Sequence, residues 1–188
     1  MARISLDPPR TLLVRALTWY SKRAYGAVLE PGLALAHNRR VILADLRFER
    51  AVARFGALDP VLRELAVMTA AAGIGCSWCM DFGYWEGHRL GISAERLRAV
   101  TAWREHAELF SDLERAVMEY AEAMCESRPA VTDEMAAGLL ASLGEAAFAE
   151  LTFMIGVENL RSRVNAALGL RSQGFADRCG YPAVASGR

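Results

Sequence analysis

The sequence has few cysteines and histidines, no excess of charge of either sign, and no long uninterrupted apolar segment. Its 188 residues include four cysteines and three histidines, with 22 basic and 22 acidic side chains. A balanced charge provides no general electrostatic attraction to nucleic acids or to an anionic membrane surface, so we expect neither as a partner. Four cysteines are too few for the disulfide framework of a small secreted domain, and a hydrophobic content of 53% suffices for a sizeable core.

The apolar segments are too short or too interrupted to indicate secretion or membrane insertion. Arg15, Lys22 and Arg23 interrupt the N-terminal segment, which lacks the small-residue cleavage site of a signal peptide. The longest uncharged run, residues 65–80, is shorter than the roughly 20 residues that a membrane helix needs. We therefore expect a cytoplasmic protein, in which a close pair of cysteines is more often catalytic or metal-binding than structural.

Apolar side chains recur at intervals of three and four residues rather than alternating, which predicts an all-α fold. The segment after Leu113 shows this period clearly, and Ser111 with Glu114 forms a capping-box pattern at its start. Other predicted helices cover residues 12–29, 33–48, 62–72, 132–143 and 145–168, with Gly144 separating the last two.

Two of the four cysteines, Cys76 and Cys79, form a C-x-x-C motif after a glycine-containing turn. Gly73 and Gly75 break the preceding helix, so that Cys76 falls at the start of the next helix and Cys79 lies one turn further along. Free backbone N–H groups and the helix dipole favour a thiolate there, and we expect Cys76 to be the more exposed sulfur. The pattern favours a redox dithiol, with half of a metal site or two structural cysteines as alternatives.

Glu64 is the last charged residue before the long uncharged run that leads to the cysteines. A helix this apolar is buried nearly all round, which places the carboxyl group at or near the core. Burial raises the pKa of a carboxyl group and suits it to act as a general base or proton carrier. The glycine turn would bring this carboxyl back toward the thiols. A structural ion pair with Arg63 or a distant arginine is the alternative.

These residues resemble the carboxymuconolactone decarboxylase and alkylhydroperoxidase D-like superfamily. The resemblance covers residues 33–172, and its most specific element is the spacing of Glu64 ahead of the C-x-x-C motif. Weaker support comes from downstream segments, namely Leu113-Glu114-Arg115-Ala116, Ile155-Gly156 and Ala167-Leu168-Gly169. It implies one helical domain over 33–172, preceded by a helical extension over 1–32 and followed by a tail over 173–188. It also implies an assembly of three or six subunits.

The resemblance further implies a hydroperoxide reductase that uses a thiol cycle. We expect no metal or other cofactor, because Cys125, Cys179 and the three histidines form no second ligand pair. In the peroxidase members the second cysteine of the motif attacks the peroxide, and the first closes the disulfide. By position these roles fall on Cys79 and Cys76, and the role of proton relay falls on Glu64. The partners implied are a hydroperoxide or another small-molecule substrate and an external thiol or dithiol reductant.

The sequence departs from this pattern at the two relay histidines, whose positions are occupied by Trp78 and Gly83. We consider three nearby residues as possible auxiliary groups: Asp81, Tyr84 and His88. Of these, His88 lies about 13 Å beyond Cys79 along a straight helix, too far to replace a missing histidine directly.

Two alternatives to the peroxidase function follow from this departure. The absent histidines favour a redox sensor or a ligand-binding oligomeric scaffold that lacks peroxidase activity. Decarboxylase or isomerase chemistry on a small cyclic acid is the other possibility, and the presence of both cysteines argues against it.

Overall fold

The computed structural model describes residues 2–179, and within that range the chain forms helices and no strand. The predicted all-α fold is confirmed. The α-helices are α1 (Leu12–Tyr25), α2 (Glu30–Leu35), α3 (Arg39–Val52), α4 (Pro60–Ile74), α5 (Ser77–Arg89), α6 (Ala94–Ala99), α7 (Asp112–Cys125) and α8 (Asp133–Leu168). Short 3-10 turns follow α6, precede α7 and lie at Ala176–Cys179.

Several helix boundaries follow from local capping that is visible in the sequence. The predicted capping box begins α7: the Ser111 hydroxyl accepts the Glu114 N–H, and the Glu114 carboxylate accepts the Ser111 N–H at 2.8 Å. Gly144, with φ 76° and ψ 166°, interrupts α8 where the sequence predicts a break. Its positive φ is a conformation that glycine adopts without steric penalty.

Two sequence predictions for the N-terminal helices are wrong. The first helix ends earlier than residue 29, because Gly26 adopts a left-handed conformation directly after Tyr25. The helix predicted over 33–48 is two helices, α2 and α3. Pro31 lies within the first turn of α2, where a missing N–H is harmless, and the Asn38 side chain caps α3 by accepting two backbone N–H groups.

The chain divides into two compact units. Among the described residues, the smaller unit contains 2–55 together with 167–170, and the larger unit contains 56–166 and 171–179. Within the smaller unit, the Arg3 N–H donates to the Leu168 carbonyl at 2.8 Å, and His37 Nε2 lies 2.8 Å from the Ser5 carbonyl oxygen. The predicted domain limits at residues 32 and 172 stay predictions.

The larger unit is built around α4, which packs against α7 and α5. Its apolar core draws on α4, α7 and α8, and the buried members are Leu58, Leu62, Ala66, Ala70, Val117, Tyr120, Ala121, Leu139, Ala147, Leu151 and Ile155. Close helix packing explains one of the glycines in α5: a Cβ at Gly87 would lie 2.5 Å from Cδ2 of Leu97 on α6.

Among the described residues, α8 is long and apolar enough to cross a membrane by length and composition, with a mean hydropathy of 1.4 over its best window. A core helix has the same properties, so this is weak evidence for a membrane span. The helix contributes Leu151 and Ile155 to the core and carries the buried carboxylates Glu150 and Glu158.

Candidate active site

The C-x-x-C motif lies at the junction of α4 and α5, as its spacing predicts. Gly75 ends α4 in a left-handed conformation with φ 81°, and Cys76 is the N-cap of α5. The Cys76 sulfur accepts the backbone N–H of Cys79 at 3.2 Å. The two sulfurs are joined as a disulfide, with the Cα atoms 5.3 Å apart. The pair therefore has the arrangement that a reversible dithiol requires.

Both cysteines are buried, and the expectation that Cys76 is the more exposed is wrong. Cys76 is 2% exposed and Cys79 is 8% exposed. The Cys76 side chain turns back over the first turn of α5, where its sulfur caps the helix, and the Cys79 sulfur lies against Ser162 of α8.

The Cys79 sulfur contacts two polar side chains of α8 that the sequence analysis did not identify. Ser162 Oγ lies 3.3 Å from this sulfur, and Asn165 Nδ2 donates to it at 3.5 Å. Ser162 also donates to Glu158 Oε1 at 2.6 Å, and Arg161 lies 3.8 Å from the same carboxylate. Glu158, Ser162 and Asn165 recur at intervals of four and three residues, which is the sequence signal for one helix face.

The side chain of Glu64, on α4, extends to α5 and meets that helix at Gly83, one turn C-terminal to Cys79. Its Oε1 is buried and has no hydrogen-bond partner among the described residues, while the residue as a whole retains some exposed surface. A Cβ at Gly83 would lie 3.3 Å from this oxygen and 2.8 Å from Met68 Cγ. The absence of a side chain at position 83 therefore makes room for the carboxyl group, on the face of α5 that carries Cys79.

Burial raises the pKa of Glu64 to about 8. The negative charges of Glu86 and Glu158 add to this effect, and the positive charges of Arg63 and Arg161 oppose it. Burial also raises the pKa of Glu86. Glu64 is consequently protonated at neutral pH and has a proton to donate.

Asp81 holds the segment that follows α8 against α5. Its carboxylate accepts three backbone N–H groups, from Gln173 at 2.7 Å, Phe175 at 3.0 Å and Ala176 at 2.9 Å. Beside it, the Trp78 indole donates to the Gln173 side chain at 2.7 Å. Phe175 is fully buried against the rings of Trp78, Phe82 and Trp85. Asp81 and Trp78 thus fix this segment on the helix that carries the cysteines.

The other two auxiliary candidates lie further along α5. Tyr84 is buried, and desolvation raises the pKa of its hydroxyl group, which the positive charge of Arg98 partly opposes. His88 is exposed in the last turn of α5, nine residues beyond Cys79. The structure brings neither residue into the contacts around the Cys79 sulfur described above. Their auxiliary roles stay predictions.

Residues 2–179 contain no group of three or more His, Cys, Asp or Glu side chains placed to hold a metal ion. Cys125 and Cys179 are both free thiols. Cys125 accepts Asn159 Nδ2 at 3.2 Å, and burial raises the pKa of its thiol.

Comparison with known proteins identifies relatives of this chain. The carboxymuconolactone decarboxylase family matches residues 43–123. The uncharacterized protein YnjA of Escherichia coli (strain K12) is 34% identical over 165 residues, which cover 87% of this chain and 90% of that protein.

Solved structures share the fold at low sequence identity. An uncharacterized peroxidase-related protein from Silicibacter sp. TM1040 superimposes with a TM-score of 0.80 at 13% identity, covering 93% of this chain and 92% of its own. An uncharacterized peroxidase-related protein from Ralstonia eutropha JMP134, described as an alkylhydroperoxidase AhpD core, gives a TM-score of 0.77 at 19% identity, with 94% of this chain and 96% of its own covered. The debrominase Bmp8 in complex with 2,3,4-tribromopyrrole gives 0.79 at 16% identity, with 95% and 97% covered.

Proposed function

This chain belongs to the carboxymuconolactone decarboxylase family, and on that basis we propose that it is a thiol-dependent oxidoreductase that reduces hydroperoxides. The observation that carries the proposal is the closed Cys76–Cys79 pair at the start of α5, together with the buried carboxyl oxygen of Glu64, which lies against Gly83 one turn further along this helix. A buried dithiol next to a proton donor supplies both the electrons and the proton that peroxide reduction consumes.

In the proposed cycle, the Cys79 thiolate attacks the terminal peroxide oxygen. A sulfur–oxygen bond forms as the oxygen–oxygen bond breaks, and the alkoxide that leaves takes up a proton. The Cys76 thiol then attacks the Cys79 sulfenic acid, which forms the disulfide and releases water. An external dithiol reduces this disulfide by exchange and is itself oxidised.

Glu64 is the donor of the proton to the leaving alkoxide. With a pKa of about 8 it holds a proton at neutral pH, whereas a carboxyl group in water would have lost it. The position of its Oε1 against Gly83, one turn after Cys79 on the same face of α5, supports this role. This arrangement supplies a proton without the two histidines of the related peroxidases.

The test follows the consumption of an organic hydroperoxide by the reduced protein in the presence of dithiothreitol. We expect Cys79→Ser to abolish consumption and Cys76→Ser to lose the disulfide-forming cycle. Dimedone should then label the sulfenic acid in the tryptic peptide 64–89 of the Cys76→Ser chain. Cys125→Ser, which changes a half-buried thiol outside the pair, is the matched control and should retain full turnover. Full turnover in Cys79→Ser or Cys76→Ser would refute the cycle.

A redox sensor or disulfide-exchange protein is the second candidate, favoured by Trp78 and Gly83 at the positions of the relay histidines. Such a protein would form the Cys76–Cys79 disulfide and exchange it with other thiols without catalytic peroxide turnover. Decarboxylase or isomerase chemistry on a small cyclic acid is the remaining alternative. It would survive replacement of both cysteines, which separates it from the first two.

The debrominase neighbour adds one substrate class to the assay. When a dithiol reduces an aryl bromide, the dithiol is oxidised to a disulfide, and the products are the debrominated ring, a bromide ion and a proton. Bromide release from a brominated pyrrole, measured with the same variants, would shift the proposal from hydroperoxides to halogenated rings. Its absence alongside hydroperoxide consumption would support the peroxidase.

A further inference from the structure

Three polar side chains on the core helix α8 point at sulfur atoms of other helices. Asn159 Nδ2 donates to the Cys125 sulfur at 3.2 Å, whereas Ser162 Oγ and Asn165 Nδ2 contact the Cys79 sulfur at 3.3 Å and 3.5 Å. Ser162 is completely buried and Asn165 is 4% exposed. Polar groups buried this deeply require partners, and Cys79 is the partner that both of them share.

Hydrogen-bond donors distinguish the two ionisation states of a cysteine. A neutral sulfur is a weak acceptor, whereas hydrogen bonds to a charged group are roughly twice as strong as neutral ones. Donors aimed at a sulfur therefore stabilise its thiolate relative to its thiol. The two cysteines of the pair differ in this respect, because the Cys76 sulfur accepts the Cys79 backbone N–H and the Cys79 sulfur faces both side chains of α8.

We propose that Ser162 and Asn165 are further catalytic residues, whose hydroxyl and amide groups stabilise the Cys79 thiolate and make Cys79 the cysteine that attacks the substrate. The identity of that substrate rests on the proposed function, whereas the stabilised thiolate is a property of the reduced protein alone. The assignment gives the nucleophile a structural basis in this chain's own contacts.

The two donors are unequal. The hydroxyl group of Ser162 has a single hydrogen, and Glu158 Oε1 at 2.6 Å competes for it with the sulfur. Asn165 has two amide hydrogens, so it donates to Cys79 whichever way the Ser162 hydroxyl points. The loss of Asn165 should consequently have the larger effect on Cys79.

The experiment measures the alkylation rate of Cys79 by iodoacetamide against pH in the reduced Cys76→Ser chain. Trypsin does not cleave the Arg128–Pro129 bond, so it places Cys79 in the peptide 64–89 and Cys125 in the peptide 116–161, and mass spectrometry follows both thiols in one sample. We expect Asn165→Ala to raise the pKa of Cys79 by about one unit, and to slow alkylation about tenfold at pH values below that pKa. Ser162→Ala should have a smaller effect in the same direction.

The chain provides matched controls on the same helix. Asn159→Ala removes the equivalent donor to Cys125 and should slow alkylation of Cys125 in the peptide 116–161 while leaving Cys79 unchanged. Ser142→Ala removes an exposed hydroxyl that donates to the Gly138 carbonyl at 2.9 Å, and should change neither thiol. Asn165→Asp keeps the shape of the side chain without its N–H groups, and should raise the pKa of Cys79 at least as much as Asn165→Ala.

Two results would overturn the inference. One is a Cys79 profile that stays within a factor of about two in both Asn165 variants. The other is an equal change of Cys79 in Asn159→Ala, which would indicate a general effect of altering α8. The inference and the proposed function fail separately: a shifted Cys79 profile without hydroperoxide turnover removes only the peroxidase, and turnover with an unshifted profile removes only the donor pair.

Discussion

Replacing Glu64 with glutamine should remove a pH-dependent loss of stability. The pKa of Glu64 is about 8 in the folded protein, against an ordinary value of 4.5. Between these values the unfolded chain loses the proton while the folded chain keeps it. The unfolded state then binds fewer protons, so the free energy of unfolding falls as pH rises, by about 1.4 kcal/mol per pH unit for this one group.

The expected magnitude is a loss of about 3 kcal/mol between roughly pH 5 and pH 7.5, with no further loss from this group above its folded pKa. Below an ordinary carboxyl pKa the group is neutral in both states and contributes no slope. In Glu64→Gln this component is absent at every pH, because an amide does not titrate. The variant should therefore gain stability relative to the parent protein as pH rises through this window.

Urea unfolding of the oxidised proteins at several pH values measures this difference. Glu119→Gln, which changes an exposed carboxylate on α7, is the control and should follow the parent protein. Parallel pH profiles for the parent and Glu64→Gln, differing by less than about 1 kcal/mol in their change over this range, would refute a neutral buried carboxyl group. The same substitution should lower hydroperoxide turnover by about 10²–10⁴-fold at neutral pH, because the proton donor is lost.

Three further outcomes follow from the structure. Gly83→Ala should destabilise the fold by about 1–2 kcal/mol in urea unfolding, because the steric clash of a Cβ 2.8 Å from Met68 Cγ outweighs the gain in helix propensity. A more stable variant would show that α4 and α5 are further apart. Asp81→Ala leaves three backbone N–H groups without their acceptor, so it should lower the free energy of unfolding by about 3 kcal/mol and expose residues 171–178 to trypsin. Unchanged protease resistance would show that other contacts hold this segment. The half-exposed side chains of Phe153 and Leu160 lie on one face of α8. If the chain assembles as three or six copies through this face, Phe153→Glu should reduce the mass measured by light scattering to that of one chain. An unchanged mass would locate the interface elsewhere.

Local chemistry allowed much of the fold to be predicted. Helical periodicity identified the all-α class, and the capping pair of Ser111 and Glu114 defined the start of α7. The glycines at 75 and 144 adopt the positive φ that their predicted turns require. These features depend on residues within about one helical turn of each other, so the sequence contains their energetics. The same reasoning failed at residues 30–38, where α2 begins at Glu30 and the helix predicted over 33–48 is interrupted before α3.

The candidate site also has one part that the sequence predicted and another that depends on the tertiary structure. The sequence by itself determined that Cys76 and Cys79 lie one turn apart at the start of a helix, since that follows from a glycine turn and a spacing of three. Only the tertiary structure decided what surrounds Cys79, because Ser162 and Asn165 lie 83 and 86 positions away in the chain. Within residues 2–179, Glu64 Oε1 is buried without a hydrogen-bond partner, and this likewise depends on the packing of α4 against α5. Contacts between distant segments are set by how whole helix faces pack, and a local pattern does not contain that information.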